Sequence, residues 1–213
     1  MRLLLIRHYK TEFNASGHIM GWGDSPKVAN WLEDMEYIEG VLASHAVQPD
    51  LIYSSALGRA RQTADYFATS LDVPTVRQSP QLNEINYGSL YCKPKAWVAQ
   101  HYPDHKRDPD FIYPEGESFS QMQKRCVAFV LDLAVVAAGQ TVLCVAHAGV
   151  IRALVSYFLG LDYRAQLRRK VCHRYIGVMG FAGGDCVSYD EWGLCSGFVS
   201  EGELALPYCP ATA

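Results

Sequence analysis

Residues 2–8, Arg-Leu-Leu-Leu-Ile-Arg-His, constrain the fold more than any other stretch of this chain. Four consecutive apolar side chains, too few for a helix face, read as a strand buried on both sides, the kind found inside parallel sheets. The run stops at Arg7 and His8, and the polar, loop-like Tyr9-Lys10-Thr11-Glu12-Phe13-Asn14 follows. In open α/β sheets, ligands sit at the carboxyl ends of strands. An arginine and a histidine delivered there can grip an anion, and the histidine can also act as a nucleophile.

Short apolar runs and helical patterns alternate along the rest of the chain. Residues 27–46 carry Trp31, Met35, Ile38, Val41 and Leu42 on one helical face. Asp50-Leu51-Ile52-Tyr53 reads as a second strand closing on Ser54-Ser55, and residues 57–70 as a helix with Ala60, Ala64, Phe67 and Ala68 at helical spacing. A short strand fits near residues 74–77. Residues 78–117, rich in Pro, Tyr and Asp, read as an insertion over the carboxyl edge of the sheet with one helix at about 94–101. A long helix opens at Glu117-Ser118 and runs to about Ala138. A strand from Thr141 to Ala146 leads into a helix ending near Leu159, and residues 172–190 read as two antiparallel strands parted by Gly183-Gly184. The tail after about Gly202 shows no clear element. This alternation implies an α/β fold, a mostly parallel central sheet with helices on both faces. The length of 213 residues suits a single domain over 1–213.

Composition narrows the function. A net charge of -3, with 19% charged residues, offers no basic excess for nucleic acid and no Lys/Arg run for an anionic membrane surface. The opening apolar run is too short for a signal-peptide core or a span, and the stretch from Val127 to Ala138 contains Asp132, so a cytoplasmic protein is expected. The seven cysteines include no Cys-x-x-Cys pair, which favours reduced, structural thiols. The late group Cys186, Cys195 and Cys209 has no histidine spacing to support a metal.

Four places put a phosphate-competent or proton-transferring group just beyond an apolar strand. Arg7-His8 is the first. In the second, Arg59 falls in the first turn of the helix after strand two, where a cation opposes the helix dipole unless an anion is bound. In the third, Glu84 lies among apolar neighbours, and a carboxyl beside a bound dianion favours its protonated form, as a general acid requires. In the fourth, His147 ends a buried strand and Ala148-Gly149 opens a helix whose free N–H groups suit a phosphate.

Taken together, these blocks resemble the histidine phosphatase superfamily, also called the phosphoglycerate mutase-like family. Leu5-Ile6-Arg7-His8 with Thr11 is similar to its Arg-His-Gly-x-Thr signature, and Ser55-x-Leu57-x-Arg59-Ala60-x-Gln62-Thr63-Ala64 to its second block. Leu82-x-Glu84 with Tyr87-Gly88 resembles the acid-donor block. Pro114-x-Gly116-Glu117-Ser118 and Val145-Ala146-His147-x-Gly149-Val150-Ile151-Arg152 match two later ones, all in family order. The resemblance implies that His8 is the nucleophile that becomes phosphorylated and that Arg7, Arg59 and His147 form the phosphate pocket. It further implies that Asn14 adds a phosphate contact and that Glu84 donates the proton. No metal or other cofactor is implied, and the expected partner is a small-molecule phosphoester.

The pattern is broken at Tyr9 and Ala148, where the family usually has Gly, at Lys10, and over 30–36, where its usual Leu-Thr-x-x-Gly stretch is missing. Tyr9 is open to three readings: it narrows the pocket, stacks on a substrate, or points away. Three functions follow: a phosphomonoesterase of the phosphatase branch, first; a phosphoglycerate mutase, suggested by Tyr87 and Lys95; and a catalytically weak phospholigand-binding protein, suggested by Tyr9 and Ala148. Specificity is expected in residues 9–31 and 86–113. The aromatics Tyr87, Tyr91, Trp97, Tyr102, Phe111 and Tyr113 are expected to pack the insertion onto the core rather than stack on a leaving group.

Overall fold

Leu3, Leu4, Leu5 and Ile6 have no exposed surface, because β1 (Arg2–Arg7) runs through the middle of a six-stranded sheet. In the computed structural model, which describes residues 1–194, its companions are β2 (Leu51–Ser55), β3 (Val76–Ser79), β4 (Thr141–Ala146), β5 (Ile176–Ala182) and β6 (Asp185–Trp192), in the order β3-β2-β4-β1-β5-β6. The strands β3, β2, β4 and β1 are mutually parallel, and β5 and β6 add an antiparallel edge. This is the mostly parallel α/β sheet the sequence implies.

Strand alternation sends Leu3 and Leu5 to one face and Leu4 and Ile6 to the other. On the first face they share a core with Val142 and Cys144 and with α5 (Phe119–Val136) and α6 (Ala148–Phe158). On the second they meet Leu143 and Val145 with α2 (Trp31–Ser44) and α3 (Gly58–Ser70). Each fully buried Leu or Ile contributes about 1.5–3 kcal/mol, so both faces must be covered for the central run to be stable.

Several boundaries differ from expectation. The helix read over 27–46 begins only at Trp31. Lys27 bridges to Thr11, and the Val28 N–H donates to the Lys10 carbonyl, so these residues are held extended against the site loop. Two short helices were not anticipated, α1 (Glu12–Ser16) and α7 (Tyr163–Arg168). Both are too short and polar for periodicity to reveal, and each is started by a side-chain cap, Thr11 with Asn14 in a capping box for α1 and Asp162 for α7. Cys92, Cys126, Cys144 and Cys186 are free thiols, whereas Cys172 is disulfide-bonded, which corrects the expectation of reduced thiols at that position. Spacing along the chain carries no information about sulfurs that meet through the fold. Cys195, Cys209 and the tail after Gly202 lie outside the described residues. Among the described residues no helix is long and apolar enough to cross a membrane.

The insertion holds α4 (Lys95–His101) and two 3-10 turns, Pro80–Leu82 and Gly88–Leu90. It is tied to the loop after α1: the Ile19 N–H donates to the Lys93 carbonyl, Cys92 N–H to Ile19, and Lys95 N–H to Gly17. Its aromatics pack edge-to-face on one another, with Tyr87–Tyr113 ring centroids 4.6 Å apart and Phe111–Tyr113 5.2 Å apart.

Candidate active site

The registers align the carboxyl ends of the four parallel strands. Arg7 sits opposite Ala146, Ser54 opposite Val145, and Ser55 opposite Ser79. Each strand therefore delivers one of the groups singled out in the sequence to a common edge. Arg7 and His8 end β1, Arg59 is the second residue of the helix after β2, Glu84 follows β3, and His147 is the N-cap of α6 after β4. The rings of His8 and His147 are 5.1 Å apart.

His8 is buried, and its two nitrogens have distinct partners. Nδ1 lies 2.6 Å from the Tyr9 carbonyl, which only accepts, and Nε2 lies 3.2 Å from Arg59 Nε, which only donates. The proton therefore resides on Nδ1, and the lone pair of Nε2 faces the site. Burial, with the positive charge of Arg59 and the proximity of His147, Arg7 and His173, pushes the His8 pKa well below the usual histidine range. The ring is held as the neutral, nucleophilic form.

Arg59, almost fully buried, spends its remaining donors on the loop ahead of α2. Nη2 donates to the Gly21 carbonyl at 2.7 Å, and Nη1 to the Gly23 carbonyl at 2.6 Å and to Asp24 Oδ1 at 3.2 Å. The guanidinium thus clamps residues 21–24 over the nucleophile. Arg7 donates through Nη1 to the Val171 carbonyl at 2.9 Å, and its buried Nε has no partner. His147 Nε2 lies 2.7 Å from Ser55 Oγ, and its Nδ1 is buried without a partner. Unpaired buried polar atoms are costly in a core and are expected where a ligand completes the site.

Glu84 is fixed at both ends. Its carbonyl accepts from Trp22 Nε1 at 2.6 Å and from Arg125 Nη2 at 3.1 Å, and Arg125 is itself paired with Glu117. Its carboxylate accepts from the Gly149 N–H at 3.1 Å and the Ile85 N–H at 3.0 Å. A Cβ on Gly149 would come within 2.2 Å of Glu84 Oε1. Gly149→Ala is therefore expected to displace the carboxyl rather than unfold the helix. We expect kcat to fall roughly 10-fold, the size expected when a reacting group is misplaced by about an ångström or less, with Tm nearly unchanged. Unaltered kinetics in that variant would show that the Glu84–Gly149 contact does not position the acid.

Asn14 and a residue the sequence did not reveal complete the pocket. Asn14 Oδ1 accepts from the Thr11 N–H at 3.2 Å and faces His173 Nε2, also at 3.2 Å. The Thr11 donor settles the amide orientation, so Asn14 Nδ2 is left to donate and His173 carries its proton on Nε2. His173, 5.9 Å from the His8 ring, is held neutral, its pKa lowered to about 2 by burial and by the charges of Arg7, Lys10 and Lys95. It lies in the connection before β5, with no motif around it. Ser55, Asp24, Trp22 and Arg125 were likewise not anticipated as supports.

The departures from the family pattern resolve structurally. Tyr9 points away from the pocket: it is buried among the α2 and α3 side chains, its ring 5.6 Å from Trp31 and its hydroxyl donating to Gln62. Neither Tyr9 nor Ala148 has a positive φ, so neither position requires glycine.

Histidines held neutral by burial tie stability to pH. The pKa values of His8, His147 and His173 are all depressed in the fold, so below about pH 6.5 the unfolded chain binds protons that the folded one refuses. Stability is therefore retained above that pH and lost as pH falls, by up to about 1.4 kcal/mol per histidine per pH unit. Thermal melts from pH 7.5 to 5 are expected to show a steadily falling Tm, with a smaller slope in His147→Gln. A flat Tm over that range would contradict neutral burial.

Residues 3–189 match the histidine phosphatase superfamily, branch 1. The adenosylcobalamin/alpha-ribazole phosphatase of Escherichia coli strain K12 is 28% identical over 183 residues, which cover 80% of this chain and 85% of that protein. A 2,3-bisphosphoglycerate-dependent phosphoglycerate mutase of Nocardia farcinica is 30% identical over 187 residues, 73% of this chain and 76% of that one. The solved structure of the alpha-ribazole phosphatase from Shigella flexneri superposes with a TM-score of 0.77 at 25% identity, covering 94% of this chain and 98% of its own. With two histidines and two arginines gathered at one sheet edge and the match running through nearly all of the described residues, the chain belongs to the histidine phosphatase superfamily, branch 1.

Proposed function

We propose that the protein is a metal-independent phosphomonoesterase that works through a phosphohistidine on His8, with Glu84 as proton donor. The observation that carries this reading is the fixed tautomer of His8, a neutral ring with the Nε2 lone pair facing a cationic pocket. Nε2 attacks phosphorus in line, and the ester P–O bond breaks as its oxygen takes the proton of Glu84. Arg59 Nε, released from Nε2 as the phosphorus arrives, is then placed at the equatorial oxygens, beside Arg7, Asn14 and the unpartnered His147 Nδ1. His147 donates there in the tautomer in which Ser55 Oγ–H donates to its Nε2. These cationic and hydrogen-bonding groups compensate the charge of the transferring phosphoryl without a metal. Glu84, now a carboxylate, takes a proton from water as its oxygen attacks phosphorus, and the P–N bond breaks with its electrons returning to Nε2.

Purified protein is expected to release phosphate from 4-nitrophenyl phosphate in the presence of EDTA. Activity that requires an added divalent cation would overturn the metal-independent reading. Because phosphoglycerate mutases are among the relatives, 3-phosphoglycerate is the second substrate to try, with and without a bisphosphate primer. Isomerisation faster than phosphate release would favour a mutase. Tight vanadate binding with no turnover across many phosphoesters would favour a phospholigand-binding protein.

A further inference from the structure

One wall of the phosphate pocket comes from the amino end of a strand rather than a carboxyl end. β5 runs antiparallel to β1, with Ile6 opposite Ile176. Stepping back from Ile176 therefore follows the chain that continues past Ile6, and residues 171–174 come to lie beside Arg7 and His8. This connection is pinned along its length. The Val171 carbonyl accepts from Arg7 Nη1 at 2.9 Å, and Arg174 pairs with Asp34 of α2 and lies 5.2 Å over the Tyr37 ring. Between them the buried His173 ring stands edge-on to His8, centroids 5.9 Å apart, with its Nε2 3.2 Å from Asn14 Oδ1.

Asn14 needs such a tie. It sits on α1, which has five residues and buries none of them, so neither helix propensity nor core packing fixes it. The Glu12 N–H on the Pro26 carbonyl, at 2.9 Å, and the Phe13 N–H on Ser25 Oγ, at 3.0 Å, hold α1 to the loop ahead of α2. The Thr11 N–H on Asn14 Oδ1 and the Asn14 N–H on Thr11 Oγ1 lie within the same turn. All of these move with the loop. The His173 bond crosses instead to the sheet edge and places the carboxamide in the same frame as His8. With two donors on Oδ1, both hydrogens of Nδ2 are left for phosphoryl oxygens.

We propose that His173 is a positioning residue for phosphoryl transfer: it touches no reacting atom and acts by holding Asn14 Nδ2 against the phosphoryl oxygens. This rests on the phosphomonoesterase reading with Asn14 as a phosphate contact.

A double-mutant cycle tests it, read both in kcat/KM on 4-nitrophenyl phosphate and in the affinity for vanadate, which stands in for the transferring phosphoryl group. His173→Leu keeps the apolar bulk and removes the N–H. It is expected to lower both readouts about 10-fold, between the loss of one hydrogen bond and an ångström of misplacement. The Nε2 of a glutamine can occupy the place of the imidazole Nε2, so His173→Gln is expected to return both to within about 3-fold of wild type. Asn14→Ala is expected to cost at least as much as His173→Leu. Adding His173→Leu to Asn14→Ala is then expected to change either readout by less than about 2-fold, because the group it positions is gone. A circular-dichroism melt on each variant excludes misfolding, and His173→Ala replaces His173→Leu in the cycle if the leucine does not fold. Wild-type kinetics in His173→Leu, a loss that adds in full to that of Asn14→Ala, or a loss that His173→Gln does not recover overturns the positioning role. A wild-type protein that binds vanadate but hydrolyses no phosphomonoester overturns the phosphomonoesterase reading, while the vanadate arm of the cycle still decides the role of His173.

Discussion

His8→Ala is expected to lower kcat/KM on 4-nitrophenyl phosphate by on the order of 10⁴- to 10⁶-fold, the scale on which removal of a catalytic nucleophile disables an enzyme. The size follows from the geometry. Arg7, Arg59 and Asn14 can still bind a phosphate in the variant, but no other lone pair occupies the place of Nε2. The nearest imidazole, His147, is engaged through its own Nε2 with Ser55. Binding should therefore outlast catalysis, and vanadate is expected to bind His8→Ala measurably while turnover is lost. The fold should persist as well, because the ring removed is one whose neutral burial costs stability as pH falls. A direct readout complements the kinetics. Acid-labile, alkali-stable phosphate should appear on the wild-type protein during turnover and be absent from His8→Ala. Appreciable turnover in the variant would move the nucleophile elsewhere and remove the basis for the proposed chemistry.

The parts of this site legible in the sequence were those that strand order controls. Leu3 to Ile6 could only be a doubly buried strand, so the position of His8 just past its end followed. The same logic located Arg59 and His147, each beyond a strand whose apolar run is visible without coordinates, whereas β3, Val-Arg-Gln-Ser, has no such run and Glu84 was marked by its Leu82-x-Glu84 block. What remained hidden depends on contacts between distant segments. His173 reaches Asn14 across 159 positions, and nothing in Val171-Cys172-His173-Arg174 announces it. The commitment of Arg59 to the Gly21 and Gly23 carbonyls was equally invisible, since a backbone acceptor leaves no residue-type signature. Tyr9 shows the converse. Its neighbour His8 turns into the site while Tyr9 itself turns to the opposite side of the chain, the two-residue alternation of an extended strand. A bulky ring at a position where the family resemblance leads one to expect glycine is accommodated in the α2–α3 core, with Lys27 lying 4.8 Å over its face.

Glu84→Gln separates proton donation from everything else the pocket does. The amide is nearly isosteric with the carboxyl, and its carbonyl oxygen can still accept from one of the Gly149 and Ile85 N–H groups that now hold Oε2 and Oε1, while the other loses its acceptor to the new NH2. The Arg125 and Trp22 bonds to the Glu84 carbonyl belong to the backbone and are untouched. What disappears is the ability to give a proton to the departing oxygen and then take one from water. General acid–base catalysis is worth about 10²- to 10⁴-fold, and the need for it depends on the leaving group. An alkyl alkoxide cannot depart unprotonated, whereas 4-nitrophenolate can. The variant is therefore expected to lose most of this factor on an alkyl phosphate and about 10-fold or less on the formation of the phosphoenzyme from 4-nitrophenyl phosphate. Hydrolysis of that intermediate still requires water to be deprotonated. With the aryl ester the variant should then show a burst of 4-nitrophenolate, stoichiometric with enzyme, followed by slow steady-state release. Equal losses on both esters with no burst would mean that Glu84 orients the phosphate rather than transferring a proton, and the acid would have to be sought among the other groups at the same sheet edge.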